Sequence, residues 1–318
     1  MSTKPFKLAL IGTDTSHSSE LPGRMQDPAR PPEERVEGLL VTRAFPFMTP
    51  FTNETVQKNR KSYLESIGVT VCDSFESAVE DCDGIMLEIN DPSYHLEYFR
   101  KCAELGKPVF LDKPFADTFD NARKICALAK AKEVRLFSSS ALRYDPSFTQ
   151  GLENCDFTPT SAVVWGPMGN AAAGSSVIWY GCHSFEMLER VMGRGAMGVH
   201  VHSGPEREVC VVDYSDGRHG VVELSRTGGG YGALLRDNEG RTCLAPAGSS
   251  SAFYTALVKK IKAFMEGEDV LAMEDMMEVM SMLEAAARSS ASGRTEYVFA
   301  PGLLLDRYLE KIRSGRTV

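Results

Sequence analysis

Residues 84–138 read GIMLEINDPSYHLEYFRKCAELGKPVFLDKPFADTFDNARKICALAKAKEVRLFS, and the order of elements in this stretch decides the fold. The apolar run 84–89 is too short for a helix and closes on Asn90-Asp91-Pro92, so it reads as a buried strand entering a turn. Helical spacing covers 92–105 and stops at Gly106. Residues 109–111 form a second strand, 119–131 a second helix and 134–138 a third strand. Strands that alternate with helices must run parallel, because each helix carries the chain back to the starting edge.

The same rhythm extends toward the N-terminus. Residues 6–11 are a strand closed by Gly12, 38–42 a second apolar run, 53–67 a helix, 69–71 a short strand and 74–81 a capped helix. Pro22 and residues 28–32 mark an irregular insertion, and 45–51 (FPFMTPF) is a loop rich in proline and aromatics. Beyond 145 the rhythm changes. Residues 161–165, 198–202, 209–214, 220–225 and 232–236 are strand-like with short turns, 183–192 is a helix, and 252–266 and 273–288 are amphipathic helices. Met273, Met276, Met277, Met280 and Leu283 recur at helical spacing, which places them on a core face. The expected fold is α/β: an N-terminal Rossmann-like, doubly wound parallel sheet over 1–145, then an α+β unit over 146–318 with an open, largely antiparallel sheet. The closing helices are free to pack back on the first unit.

Composition narrows the function. The 318 residues carry a formal charge of -8 with no Lys/Arg run, which argues against nucleic acid as partner. The eight cysteines include no C-x-x-C pair, so neither a zinc nor a thioredoxin-type signature is present. The opening residues 1–7 lack a signal-peptide core, and no segment is long and apolar enough to span a bilayer. A cytoplasmic protein with a small-molecule substrate is expected. An open sheet also favours self-association, as a homo-dimer or tetramer.

Ligands of doubly wound sheets bind beyond the carboxyl ends of the strands, where Gly12, Asn90 and Asp112 fall. The turn Gly12-Thr13-Asp14-Thr15-Ser16-His17 keeps only the first glycine of G-x-G-x-x-G. Asp14 would set a carboxylate beside two phosphates unless His17 offsets it; the other reading is a strand–helix turn with polar caps. Arg43 stands where a ribose-binding acid is expected, which leans toward NADP over NAD, or it is a lone surface arginine. Lys113 lies just past a strand end and before Pro114, and burial there would lower its pKa toward an acid/base role. His95, after Pro92, faces a cofactor ring or caps its helix. A metal site from His17, His95, His183 and Asp14 has no helical H-x-x-x-H pair, and none is expected.

From residue 84 to 144 the chain resembles the Gfo/Idh/MocA oxidoreductase family, which includes glucose-fructose oxidoreductase and inositol dehydrogenases. The likeness rests on Pro92 and His95, on Gly106 to Pro114 matching G-K-x-V-x-x-E-K-P with Asp112 for glutamate, and on Arg143-Tyr144-Asp145-Pro146. Residues 264–293 also resemble the family's closing helices. The resemblance implies hydride transfer at a sugar or polyol carbon using NAD or NADP. It gives Lys113 the role of orienting the hydroxyl and His183 that of acid/base, with Arg143, Trp179 and Tyr180 on the substrate side. Gly12 to His17, Arg43, Asn90, Pro92, His95, Asp112 and Lys113 would face the cofactor. The family's aspartate position before the histidine holds Trp179. Two alternatives stand beside this reading: a catalytically impaired or non-catalytic binding member, and an enzyme using NAD transiently for elimination or glycoside cleavage.

Overall fold

The computed structural model describes residues 4–299. Residues 1–3 and 300–318, including the start of the leader reading and the end of the expected second unit, lie outside the described residues. The strands β1 (Phe6–Ile11), β2 (Leu39–Phe45), β3 (Thr70–Val71), β4 (Gly84–Leu87), β5 (Val109–Leu111) and β6 (Leu136–Phe137) form one six-stranded sheet. Its order is β3-β2-β1-β4-β5-β6 and every pair is parallel. The order reverses between β1 and β4, which makes their carboxyl ends the switch point of the sheet.

The crossovers are α1 (His17–Gln26), α2 (Glu54–Ser66), α3 (Phe75–Ala78), α4 (His95–Ala103) and α5 (Phe119–Ala131). Asn53, Ser74 and Thr118 cap α2, α3 and α5 by accepting the backbone N–H of Val56, Ser77 and Asn121. Helix α1 corrects the irregular stretch expected around Pro22. The proline lies inside the helix, where buried Leu21 and Met25 hold it against the sheet side. Residues 92–94 form a single 3-10 turn ahead of α4 rather than its first turn.

After α6 (Pro146–Glu153), β7 (Ser161–Pro167), α7 (Ser176–Trp179) and α8 (Cys182–Met192) comes a strand meander. It contains β8 (Ala196–Ser203), β9 (Arg207–Tyr214), β10 (His219–Ser225), β11 (Tyr231–Arg236) and β12 (Thr242–Ala247). Then follow α9 (Ala252–Met265), α10 (Met273–Ser292) and the short β13 (Glu296–Tyr297). The second sheet runs β12-β11-β7-β10-β9-β8-β13 and is antiparallel except where β7 pairs parallel to β10. Strands β12 and β13 and helix α6 go beyond the sequence expectation. Their apolar residues are too few to give a period, and they are fixed by pairing and packing instead.

Alternation along the central strands splits the core. Ala9, Ile11, Ile85, Leu87, Val109 and Leu111 face α4 and α5, while Leu8, Leu10, Met86 and Phe110 face α1 and α9. Thus α9, from the last third of the chain, covers the first sheet through Leu257, Val258, Ile261 and Phe264. Helix α10 buries Met276, Met277, Met280 and Leu283 between α5, α8 and β8. The two sheets are thereby tied on both sides of the switch point.

Candidate active site

The turn after β1 is set by close approach. Gly12 has φ +91°, and a Cβ on it would lie 2.6 Å from the Glu88 carbonyl oxygen, so only glycine fits. The next side chains turn inward: Thr13, Asp14 and Thr15 are almost wholly buried. The Asp14 carboxylate accepts the backbone N–H of Asn90 (2.7 Å) and Asp91 (3.3 Å) and the hydroxyl of Thr49 (2.6 Å). Burial pushes its pKa up and these bonds pull against that, leaving it raised. The offset expected from His17 is absent. The His17 Nδ1 instead meets the Asp112 carboxylate at 2.8 Å, because that second, fully buried acid lies closer. Ser16 is the N-cap of α1 through its carbonyl, which accepts from Ser19 and Glu20, and the Thr15 hydroxyl accepts the His17 N–H.

Asp112 and Lys113 follow β5 into the same edge, both buried. Burial alone would strip the charge from Lys113, but the Asp112 carboxylate, with Cys182, Tyr180 and Tyr254, raises its pKa. The lowered lysine pKa expected from the sequence is therefore not found, and Lys113 is a fixed ammonium. Its Nζ lies 5.8 Å from the Tyr180 ring centroid. Burial opposes the charge on Asp112 too, yet His17 and Lys113 more than offset it and hold its pKa at about 2. Beside them, Glu88 is fully buried with neither oxygen hydrogen-bonded among the described residues. Burial, then the Asp112 charge, drives its pKa well above the carboxylate range. Donor atoms of His17, Glu88 and Asp112 lie within 4.8 Å of one another.

The second half supplies the opposite wall through α7 and α8. His183, in the first turn of α8, bonds through Nδ1 to the Ser140 hydroxyl at 2.6 Å. Burial, then the Lys113 charge, holds its pKa well below 6.5, so the imidazole is neutral. Ser140 Oγ also accepts the Leu142 N–H (3.2 Å), while the Ser140 N–H donates to Glu186 at 2.6 Å. Glu186 further accepts from the Ser139 hydroxyl (2.7 Å) and Arg143 Nε (3.0 Å), and Arg143 also pairs with Glu189. Glu186 thus holds the Ser139 hydroxyl and the Ser140 N–H, and the Ser140 hydroxyl holds His183.

These walls enclose a cavity of about 270 Å³. Of the residues singled out from sequence, Asp14, Thr15, Ser16, His17, Asn90, Lys113, Trp179, Tyr180 and His183 line it. The Trp179 Nε1–H donates to Asn90 Oδ1 at 2.9 Å, and the Tyr180 ring meets His183 edge-on at 4.8 Å. Others lie elsewhere. Arg143 is turned to Glu186 and Glu189 because a buried guanidinium needs acids around it. Arg43 is held by Glu80 and the Ser77 carbonyl, both at 2.8 Å, so it gives no ground for preferring NADP. His95 sits between the carbonyls of Ile89 (2.7 Å) and Phe115 (3.2 Å), and Pro92 is buried in its turn. Of the four residues weighed together from sequence, His95 is thus turned away, while Asp14, His17 and His183 share the cavity. Sequence reasoning missed Arg60, Ser140, Phe51, Tyr231 and Tyr254. The Ser138-Ser139-Ser140 run at a strand end was the one usable signal.

A dinucleotide does not fit this arrangement. The Asp14 carboxyl oxygens already accept the backbone N–H groups of Asn90 and Asp91. Phe47, from the loop after β2, stacks on Tyr98 at 4.7 Å.

Among the described residues, no helix is long and apolar enough to cross a membrane. Residues 52–140 match the Gfo/Idh/MocA family, described as an oxidoreductase family with an NAD-binding Rossmann fold. That span begins beyond the glycine turn and says nothing of it. No curated protein matches the chain. Among solved structures, myo-inositol dehydrogenase from Lactobacillus casei in complex with NAD(H) and myo-inositol is 13% identical. The match covers 93% of this chain and 97% of that one, with a TM-score of 0.74. Myo-inositol 2-dehydrogenase from Lactobacillus plantarum is 15% identical over 93% of this chain and 100% of that one, with a TM-score of 0.71. An oxidoreductase from Agrobacterium radiobacter in complex with NAD+, L-tartaric acid and magnesium is 14% identical over 93% and 99%, also with a TM-score of 0.71. The chain thus matches the Gfo/Idh/MocA oxidoreductases over residues 52–140 and shares the fold of these dehydrogenases over nearly its whole length, as a divergent sequence.

Proposed function

We propose that the cavity is an acid–base site acting on a hydroxyl or carbonyl carbon of a sugar, polyol or related polyhydroxylated compound. One observation carries the reading: a charged Lys113 from the first sheet and a neutral His183 from α8 line the same cavity, each close to the Tyr180 ring. A fixed ammonium beside a substrate oxygen stabilises negative charge developing there. It also acidifies a hydroxyl, which suits so weak a base as His183. When Nδ1–H donates to Ser140, Nε2 offers the lone pair that takes the hydroxyl proton. Asn90, Tyr180 and Tyr231 supply polar edges for further hydroxyls.

The match over 52–140 supports an oxidoreductase, and the division into 1–145 and 146–318 is part of this reading. The acid–base half stands on the chain's own residues; a hydride route does not. A second reading, ligand binding without turnover, is favoured by the indole at Trp179 and by the filled crevice.

A panel of sugars, polyols and sugar acids, screened by thermal shift, tests the site. Lys113→Met should erase the shift given by the best ligand. His183→Ala should slow any conversion followed by NMR by about 10²–10⁴-fold. A ligand shift unchanged in Lys113→Met sinks the proposal; a Lys113-dependent shift with no conversion selects the second reading.

A further inference from the structure

The crevice of a doubly wound sheet has two halves, and a dinucleotide lies across both with its pyrophosphate at the first turn. Here the half over β1, β2 and β3 is filled by the chain itself. Residues 46–53 leave β2 and cross the carboxyl edge. Phe47 stacks on Tyr98 of α4 with ring centroids 4.7 Å apart and 10° between planes. It also meets Tyr94 at 5.7 Å and Phe45 at 5.9 Å, and Phe75, which opens α3, reaches Tyr98 at 6.3 Å. This aromatic group lies between the elements that follow β2, β3 and β4, where an adenine would have to enter.

Polar bonds fix the segment in place. The Thr49 hydroxyl donates to Asp14 at 2.6 Å. From α2, Gln57 Nε2 donates to the Phe47 carbonyl at 3.1 Å and Arg60 to the Thr13 carbonyl at 2.7 Å. Asp14 then takes the Asn90 and Asp91 N–H groups, so the turn after β4 already has its donors occupied by a carboxyl group. The Asp14 and Thr49 side chains are buried, so water does not separate these parts.

We propose that residues 46–60 are a built-in occupant of the adenosine half of the crevice, with the Asp14 carboxyl group set at the first turn beside the place of the phosphates, so that this chain does not take up NAD or NADP. The Lys113–His183 cavity is then complete in itself. This inference goes beyond the acid–base reading and fails independently of it, because Lys113-dependent ligand shifts are measured without any dinucleotide.

The full chain as purified is acid-extracted and the extract assayed for dinucleotide, then titrated with NADH and NADPH by calorimetry and fluorescence. The expected result is an empty extract and no saturable signal. A dinucleotide in the extract, or saturable binding of either by the unaltered protein, overturns the proposal. Two variants test the cause: Asp14→Gly with Phe47→Ala, and the milder Thr49→Ala, each checked for native near-ultraviolet dichroism. The double variant should gain affinity for NADH by at least about tenfold over the parent's detection limit. Should it not fold, Thr49→Ala is expected to show the same gain in weaker form. A folded variant that gains nothing refutes the role given to the segment.

Discussion

Two buried charge clusters flank the cavity, and they are built on opposite terms. In one, Arg143, Glu186, Glu189, Ser139 and Ser140 leave no carboxylate oxygen orphaned among the described residues. In the other, His17, Asp112, Lys113 and Glu88 leave Asp112 Oδ2 and both Glu88 oxygens without a hydrogen bond. A satisfied network holds geometry, and here it holds His183 through Ser140. An under-satisfied one keeps charges poised, because any proton or ligand oxygen arriving nearby changes the whole balance. The first cluster is the frame, and on the proposed reading the second is the reactive side; sequence alone placed Lys113 as catalytic and Arg143 on the substrate side.

The comparison breaks most sharply at Arg143. Arg143→Met removes the cation between two buried acids and should cost about 3–5 kcal/mol in denaturant unfolding. A loss under 1 kcal/mol would mean that the pairing is not what holds this wall. Next is Ser140→Ala, which strands the Leu142 N–H and frees His183 Nδ1; about 1–3 kcal/mol is expected, together with loss of His183-dependent conversion. Unchanged conversion would detach the frame from the histidine.

The smallest effect is read through pH. The Glu88 pKa is raised on folding, so the folded state binds its proton more tightly. That contribution is full below the unfolded value of about 4.3 and is lost as pH rises through the folded value. Asp112 runs the other way: its contribution is present above about 3.9. It is lost as pH falls toward its folded pKa of about 2. Glu88→Gln should therefore remove a decline in stability above about pH 4.5 and leave the acid limb intact. Identical curves for parent and variant would show that Glu88 does not titrate as its burial requires.

Much of the first half was legible because parallel strands are apolar on both faces and the signals are local. The strands β1 and β5 and the helix α5 fall at the boundaries read from sequence. Lys113 and His183, singled out through motif and resemblance, both line the cavity. Ser140 and Arg60 were not legible: a serine among three, and an arginine on a polar helix, look like solvent-facing residues until the partner element is placed. Arg143 misled for the reciprocal reason, since only the approach of α8 brings Glu186 and Glu189 to it.

Periodicity, caps and turn residues by themselves determined which segments are strands and helices, and from their alternation the sheet and its ligand edge. These are near-neighbour effects, written in the spacing of residues along the chain. The tertiary structure alone decided which charges meet, which side of the crevice stays open and which is filled by Phe47, and that α9 closes the first sheet. Such outcomes depend on groups far apart in sequence competing for the same desolvated space, and no local pattern records who wins.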